Sequence, residues 1–211
     1  MKSKVIVCFE IDLLYNNSGD FMKTIVKNII NEIEINKSRF ITLLYVVNSK
    51  DDVIYYLKCA KEDYPNATHY CYAYIIDAFE KASDDGEPSK TAGAPILNVL
   101  KQNNLNHILC IVIRYFGGIK LGAGGLVRAY TNATNEGLKK TTIGNLVKAY
   151  KVRFVINYSD IDKLNYLLRD EKVVYKEFGD KVIYEVLMPK NKLSSFEMFK
   201  YEMLEDCYLT I

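Results

Sequence analysis

The chain has no tryptophan, four prolines and only two histidines among its 211 residues. The shortage of histidine matters most, because zinc sites are built from cysteine and histidine at short spacings. The five cysteines are scattered and include no C-x-x-C pair. Scattered cysteines in odd number are typical of buried, reduced thiols. We therefore expect a cytoplasmic protein with no metal site, no disulfide framework and no cofactor.

Long apolar runs are also missing, since no stretch approaches the roughly 20 residues needed to span a bilayer. The apolar patch at residues 5–14 is interrupted by Glu10 and Asp12 and is followed by no small-residue cleavage site, so it is a poor signal peptide. We expect no membrane partner. Residues 1–21 are predicted to be an N-terminal extension, either ordered or loosely attached, with Met22 as an alternative start.

Charge of either sign is in little excess. The formal net charge is +2, and the first 148 residues carry 18 Lys and Arg against 15 Asp and Glu. A domain that binds nucleic acid through its overall charge is strongly basic. Any contact with a polyanion must therefore come from a local patch.

Glycine, by contrast, is concentrated in one stretch, residues 114–130. It follows an unbroken apolar run, Ile108–Ile113, which is typical of a strand buried on both faces. Apolar residues at helical spacing come next and predict a helix to about residue 142. Strand, glycine loop and helix together aim free backbone N–H groups at an anion. The loop's five glycines are Gly117, Gly118, Gly122, Gly124 and Gly125.

Three cations, Arg114, Lys120 and Arg128, accompany this loop, and no carboxylate occurs between residues 114 and 135. Arg128 is predicted in the first turn of the helix, where a cation is unfavourable by about 0.3–1 kcal/mol unless a negative group offsets it. Either a ligand anion or an internal carboxylate should lie nearby. The alternative is a tight turn with solvated cations. The spacing matches neither a Walker lysine nor G-x-G-x-x-G.

The densest group of carboxylates lies in the turn-rich loop of residues 83–93. Asp84, Asp85 and Glu87 could hold a hard cation, neutralise the three cations of the glycine loop, or simply be solvated. In the second case this acidic loop, with Ser83, and the glycine loop form one site from two distant segments.

The strand predicted at residues 68–76 places His69 on one face and a row of tyrosines on the other. The row is either a base-stacking platform or the underside of a helix layer. His69 is either a hydrogen-bonded structural residue or a catalyst, and we group it with the acidic loop. The tyrosines of the row are Tyr70, Tyr72 and Tyr74.

Other elements complete two domains, residues 22–146 and 147–211, with Gly144 marking the boundary. In the first, a capping box of Ser49 and Asp52 opens a helix. The remaining predictions there are strands at 24–35 and 39–47 and a helix at 94–102. In the second, the order βαββαβ predicts a ferredoxin-like domain. Its elements are a strand at 151–158, a helix capped by Ser159 with Asp162, a hairpin of 173–178 and 182–188, a helix with Leu193, Phe196 and Met203, and a strand at 207–211.

Three segments resemble the signature blocks of the YigZ/IMPACT family, and the similarity runs from about residue 22 to the end. The blocks are 66–74, 82–89 and 114–130. Lys90 stands where the family usually has glycine, and Tyr70 where it usually has asparagine. The resemblance implies an α+β fold: an N-terminal α/β sandwich like the second domain of a small-subunit ribosomal protein, followed by the ferredoxin-like domain.

Eukaryotic members of this family regulate translation in the starvation stress response, by competing for an activator of an initiation-factor kinase. The resemblance therefore implies a translation-linked regulatory binding protein whose glycine loop engages RNA, the ribosome or a protein partner. Two alternatives stay open. One is an enzyme acting on a small phosphorylated or nucleotide substrate, and the other is a pure protein-interaction adaptor.

Overall fold

The computed structural model describes residues 22–210, which divide into two compact units, residues 22–145 and 146–209. Both combine a sheet with helices, so the predicted α+β class is confirmed. The extension predicted for residues 1–21 lies outside the described residues. Among residues 22–210, no helix is both long enough and apolar enough to cross a membrane.

The first unit is an antiparallel five-stranded sheet with helices on both faces. Its strand order is β2-β3-β6-β4-β5. The elements in chain order are β1 (Lys23–Ile25), β2 (Ile29–Ile35), β3 (Ser38–Val46), α1 (Lys50–Asp63), β4 (His69–Ile76), β5 (Phe79–Ser83), α2 (Gly93–Gln102), β6 (Ile108–Tyr115) and α3 (Gly122–Leu138).

The central strand β6 explains why the sheet forms where the sequence is most apolar. Every residue from Ile108 to Ile113 is fully buried. Successive side chains alternate between two cores, one shared with α2 and α3 and the other with α1. Each such aliphatic side chain contributes about 1.5–3 kcal/mol of burial free energy. β6 thus anchors the loop that follows it at Tyr115.

The row of tyrosines on β4 packs in the core under α1. This is the helix-underside interpretation, and the base-stacking alternative is wrong. The capping box of α1 is confirmed, because the Ser49 hydroxyl accepts from the Asp52 backbone and the Asp52 carboxylate accepts from the Ser49 backbone.

Several predicted boundaries in this unit are wrong. The strand expected at 24–35 is two strands, β1 and β2, separated by a bend at residues 26–28. β5 was not predicted, because its five residues have no alternating pattern and are held by pairing with β4. The division between the two units falls within β7 (Ile143–Ile156), where Gly144 lies opposite Thr24.

The second unit has the predicted split βαβ arrangement. β7 is followed by α4 (Ile161–Leu167), β8 (Lys172–Phe178), β9 (Val182–Pro189) and β10 (Tyr201–Thr210), in the strand order β10-β7-β9-β8. One face of the sheet packs on α4 around Phe154, Leu164 and Tyr184.

Two helix predictions in this unit are wrong. Ser159 does not cap α4, because it lies inside a short 3-10 helix, Tyr158–Asp160, that precedes it. The second expected helix is a 3-10 helix, Lys190–Phe196, and Met203 belongs to β10.

Candidate anion-binding site

The loop between β6 and α3 ends in an uncapped helix N-terminus. α3 begins at Gly122, its cap residue is Leu121, and no side chain caps it. Within residues 22–210, no protein group accepts from the backbone N–H of Gly122, Ala123 or Gly124. These amides and the helix dipole make a favourable place for an anion.

Four of the five loop glycines have a local reason. Gly118 and Gly122 have φ of 85° and 68°, a region that favours glycine. A Cβ on Gly117 would overlap the backbone of Lys37, and the Gly117 N–H donates to the Ser38 hydroxyl at 3.1 Å. The Gly117 amide is therefore used within the fold. Gly125 faces the Leu121 side chain within the first turn of α3.

A cavity of about 440 Å³ opens beside this N-terminus and joins the two segments that the sequence suggested. The sequence-predicted residues that line it are His69, Glu87, Arg114, Lys120 and Gly122. The others, which lie outside its lining, are Ser83, Asp84, Asp85, Gly117, Gly118, Gly124, Gly125 and Arg128. A volume of this size is typical of small-ligand sites.

Arg114 is neutralised inside the protein. Its side chain is buried, and its Nη1 donates to Glu87 Oε1 at 2.6 Å. The guanidinium lies between the rings of Phe40 and Phe116, at 5.5 and 5.4 Å from their centroids. Tyr130 donates its hydroxyl to the same Glu87 oxygen at 2.9 Å. An internal carboxylate thus offsets one of the three cations.

Lys120 and Arg128 differ from Arg114, because both are exposed. Within residues 22–210, no carboxylate lies within ion-pair distance of either side chain. The placement of Arg128 in the first turn is wrong, since α3 begins at Gly122 and Arg128 falls in the second turn. Its guanidinium still reaches back toward Gly124, with Nη1 3.7 Å from the position of a Cβ there.

The deep wall of the cavity carries hydrogen-bond acceptors. His69 Nδ1 lies 2.8 Å from the backbone oxygen of Asp85. Because a carbonyl only accepts, Nδ1 carries the hydrogen, and Nε2 of the neutral ring is an acceptor. Nε2 lies 3.8 Å from Glu87 Oε2. No donor among residues 22–210 lies within hydrogen-bond distance of that oxygen.

The other two acidic-loop carboxylates shape the loop itself. Asp84 accepts from the backbone N–H groups of Lys90, Ala92 and Gly93 at 2.8–2.9 Å, which closes the loop onto the start of α2. Partial burial alone would raise the pKa of Asp84, but these three donors outweigh it and lower that pKa. Asp85 accepts from the Tyr70 N–H at 2.6 Å.

The three carboxylates of this loop bind different partners and do not converge on one point. Among residues 22–210, no group of three His, Cys, Asp or Glu side chains is placed to hold a metal ion.

Neither nucleophile candidate near the cavity is activated. Burial raises the pKa of the Cys71 thiol to about 12. Burial, followed by the neighbouring Cys71 and Glu87, raises the pKa of the Tyr130 hydroxyl. Both groups are protonated at neutral pH, and each is hydrogen-bonded to the other at 3.3 Å.

Sequence reasoning offered an acidic-loop carboxylate as a partner of Arg114 but missed its neighbours on the adjacent strands. The strand register places Arg114 between Phe40 on β3 and His69 on β4. The alternation along β6 could have shown where Arg114 points. Side chains two residues apart lie on the same face of a strand, so Arg114 follows Ile108, Cys110 and Val112 on the face toward α3. His107 was also overlooked: it is fully buried, with its ring nitrogens 3.1 Å from Asn48 and Asp77 oxygens.

Comparisons with known proteins place the chain among its relatives. The family described as the Impact N-terminal domain matches residues 36–138. The chain is 38% identical over 178 residues to the IMPACT family member YvyE of Bacillus subtilis. This match covers 82% of this chain and 82% of that protein. It is 32% identical to the IMPACT family member YigZ of Escherichia coli, with 77% of this chain and 83% of that protein covered.

A solved structure of a hypothetical protein is also similar. Its TM-score is 0.59 at 29% identity, covering 87% of this chain and 96% of that one.

Proposed function

Because the chain belongs to the IMPACT family, we propose that it is a translation-linked regulatory binding protein that engages the phosphate backbone of RNA, with the ribosome as the natural setting. The link to translation rests on the family resemblance, because eukaryotic members of the family regulate translation. The mode of binding rests on the site beside α3.

One observation carries the proposal. Free backbone N–H groups at the start of α3 and Lys120 lie at an open cavity, and Arg128 reaches toward the same helix N-terminus. No carboxylate of residues 22–210 offsets the charge of either side chain. Amide donors and basic side chains are the groups that proteins use to contact phosphate. The remaining cation, Arg114, is held by Glu87 and contributes to the wall of the cavity.

Binding is favoured over catalysis by the chemistry around the cavity. The Cys71 and Tyr130 groups are protonated and buried, and a nucleophile needs a neighbouring base or a lowered pKa. A phosphate held by a helix N-terminus and two cations needs no such activation.

The test is binding of a fluorescein-labelled, mixed-sequence RNA 10-mer at low salt, measured by fluorescence anisotropy. Replacing both Lys120 and Arg128 by alanine should weaken binding at least about tenfold, because two charge-assisted contacts are lost. With only about two phosphate contacts, the slope of log K against log salt should be near −1.5. Co-sedimentation with ribosomes should fall in parallel.

A charge-matched control is available just beyond the C-terminal end of α3. Lys139 and Lys140 are exposed near the C-terminal end of α3, and Lys139 has only a surface ion pair with Glu136. The K139A/K140A variant should bind RNA as the wild type does. The melting temperature of the K120A/R128A variant should be unchanged, because both side chains are exposed. Equal RNA binding by the two double variants would refute the proposed site.

A further inference from the structure

The cavity beside α3 has hydrogen-bond donors at one end and acceptors at the other. At the end formed by α3 are backbone donors and Lys120. At the deep end, Glu87 Oε2 and His69 Nε2 are acceptors that face each other across 3.8 Å. That distance is too long for a direct hydrogen bond, and in the neutral histidine neither atom has a hydrogen to donate.

The deep end does not repel an anion strongly as a whole. Glu87 shares its charge with the buried guanidinium of Arg114, bonded at 2.6 Å, so the pair is close to neutral. The free oxygen of Glu87 is nevertheless on a side chain that is only 4% exposed. This oxygen is open to the cavity, and a ligand that brings a donor to it in place of water gains a charge-assisted hydrogen bond.

A ligand that satisfies both ends must carry a phosphate and, close to it, a hydrogen-bond donor. The backbone of RNA has this combination in every nucleotide, because the 2′-hydroxyl is next to the phosphate-bearing carbon. The backbone of DNA has the phosphate alone. Carboxylates are a common partner for ribose hydroxyls in nucleotide sites.

We propose that Glu87 and His69 read the ribose 2′-hydroxyl, so that this site distinguishes RNA from DNA. The proposal rests on the proposed function, since it assumes that a phosphate is bound at the α3 end. In this arrangement the 2′-hydroxyl donates to Glu87 Oε2 or His69 Nε2, while Lys120 and the α3 amides hold the phosphate.

The test compares three labelled 10-mers of one base sequence on the full-length protein: RNA, DNA with deoxyuridine in place of uridine, and 2′-O-methyl RNA. The 2′-O-methyl strand keeps the RNA-like sugar pucker and replaces the donor hydrogen with a methyl group. RNA should bind about 10- to 100-fold more tightly than either other strand, which corresponds to one hydrogen bond to a charged group.

Variants of the two acceptors locate the effect. Glu87→Gln keeps the shape of the side chain and turns an acceptor into a donor, so it should abolish the preference for RNA. If that variant unfolds because Arg114 loses its counter-charge, His69→Ala replaces it, since His69 is partly exposed and removing it leaves the Arg114–Glu87 pair intact. His69→Ala should reduce the preference for RNA over DNA.

The outcomes separate the two proposals. If RNA, DNA and 2′-O-methyl RNA bind equally and the K120A/R128A variant binds none of them, phosphate binding stands and 2′-hydroxyl reading is wrong. Tight binding of 2′-O-methyl RNA with weak binding of DNA would also overturn it, because helix shape would then explain the preference. If none of the strands binds, both proposals fail.

Discussion

Removing the Glu87 carboxylate should destabilise the first unit far more than removing an exposed one. Glu87→Ala leaves the Arg114 guanidinium, 5% exposed, without its counter-charge. It also deprives the Tyr130 hydroxyl of its acceptor. Arg114 has few other polar contacts. Its Nε is buried and has no partner among residues 22–210, and the hydrogen bond from its Nη2 to the Ser38 hydroxyl is long at 3.4 Å.

The size of the loss follows from this burial. Breaking a buried ion pair by removing one partner costs about 3–5 kcal/mol, mainly from the desolvated charge left behind. Such a loss is a large part of the 5–15 kcal/mol of a typical domain. The control is Glu32→Ala in the same sheet. Glu32 Oε1 pairs with Nε of the exposed Arg39 at 2.8 Å. With both side chains about half exposed, that pair should contribute less than about 1 kcal/mol.

The assay is urea unfolding followed by circular dichroism, with hydrogen exchange of β6 amides to assign the loss to the first unit. The double variant E87L/R114M removes both charges and replaces them with apolar side chains. It should be more stable than Glu87→Ala, because no unpaired charge remains. A Glu87→Ala variant no less stable than Glu32→Ala would show that Arg114 does not depend on Glu87 and would refute the reasoning.

Three further predictions concern the two loops. Asp84→Asn should cost about 1–2 kcal/mol near pH 7 in urea unfolding. Because the folded pKa of Asp84 is lowered, its contribution is complete above the unfolded pKa and is lost as pH falls through the folded pKa. The stabilities of wild type and variant should therefore begin to converge below about pH 4. Lys90 has φ of 63°, so Lys90→Gly should stabilise by about 0.5 kcal/mol, seen as a higher melting temperature, and a lower one would contradict this account. Gly117→Ala should abolish soluble expression or lower the melting temperature strongly, because its Cβ would overlap the Lys37 backbone. Gly124→Ala should be tolerated, because only a flexible arginine side chain lies near that position. Equal effects of the two substitutions would contradict the packing described.

Local chemistry could be predicted wherever a pattern repeats along one segment. The apolar run of β6 indicated a strand buried on both faces, and the glycines indicated the turn into α3. The Ser49 capping box and the tyrosine face of β4 were equally legible, since helix caps and strand alternation depend on residues a few positions apart. Short elements could not be predicted in this way. β5, for example, is held in place by its pairing with β4.

What only the tertiary structure decided is which carboxylate meets which cation. Asp84, Asp85 and Glu87 lie within four residues, and composition offers no reason for one of them to be chosen. The loop folds so that Asp84 closes onto α2, Asp85 turns to β4, and Glu87 reaches Arg114, 27 residues away in sequence. The amino-acid sequence by itself therefore determined the elements and the positive loop, through short-range periodicity and backbone chemistry. The charge balance of the cavity was decided in three dimensions, because electrostatic pairing depends on distance and burial.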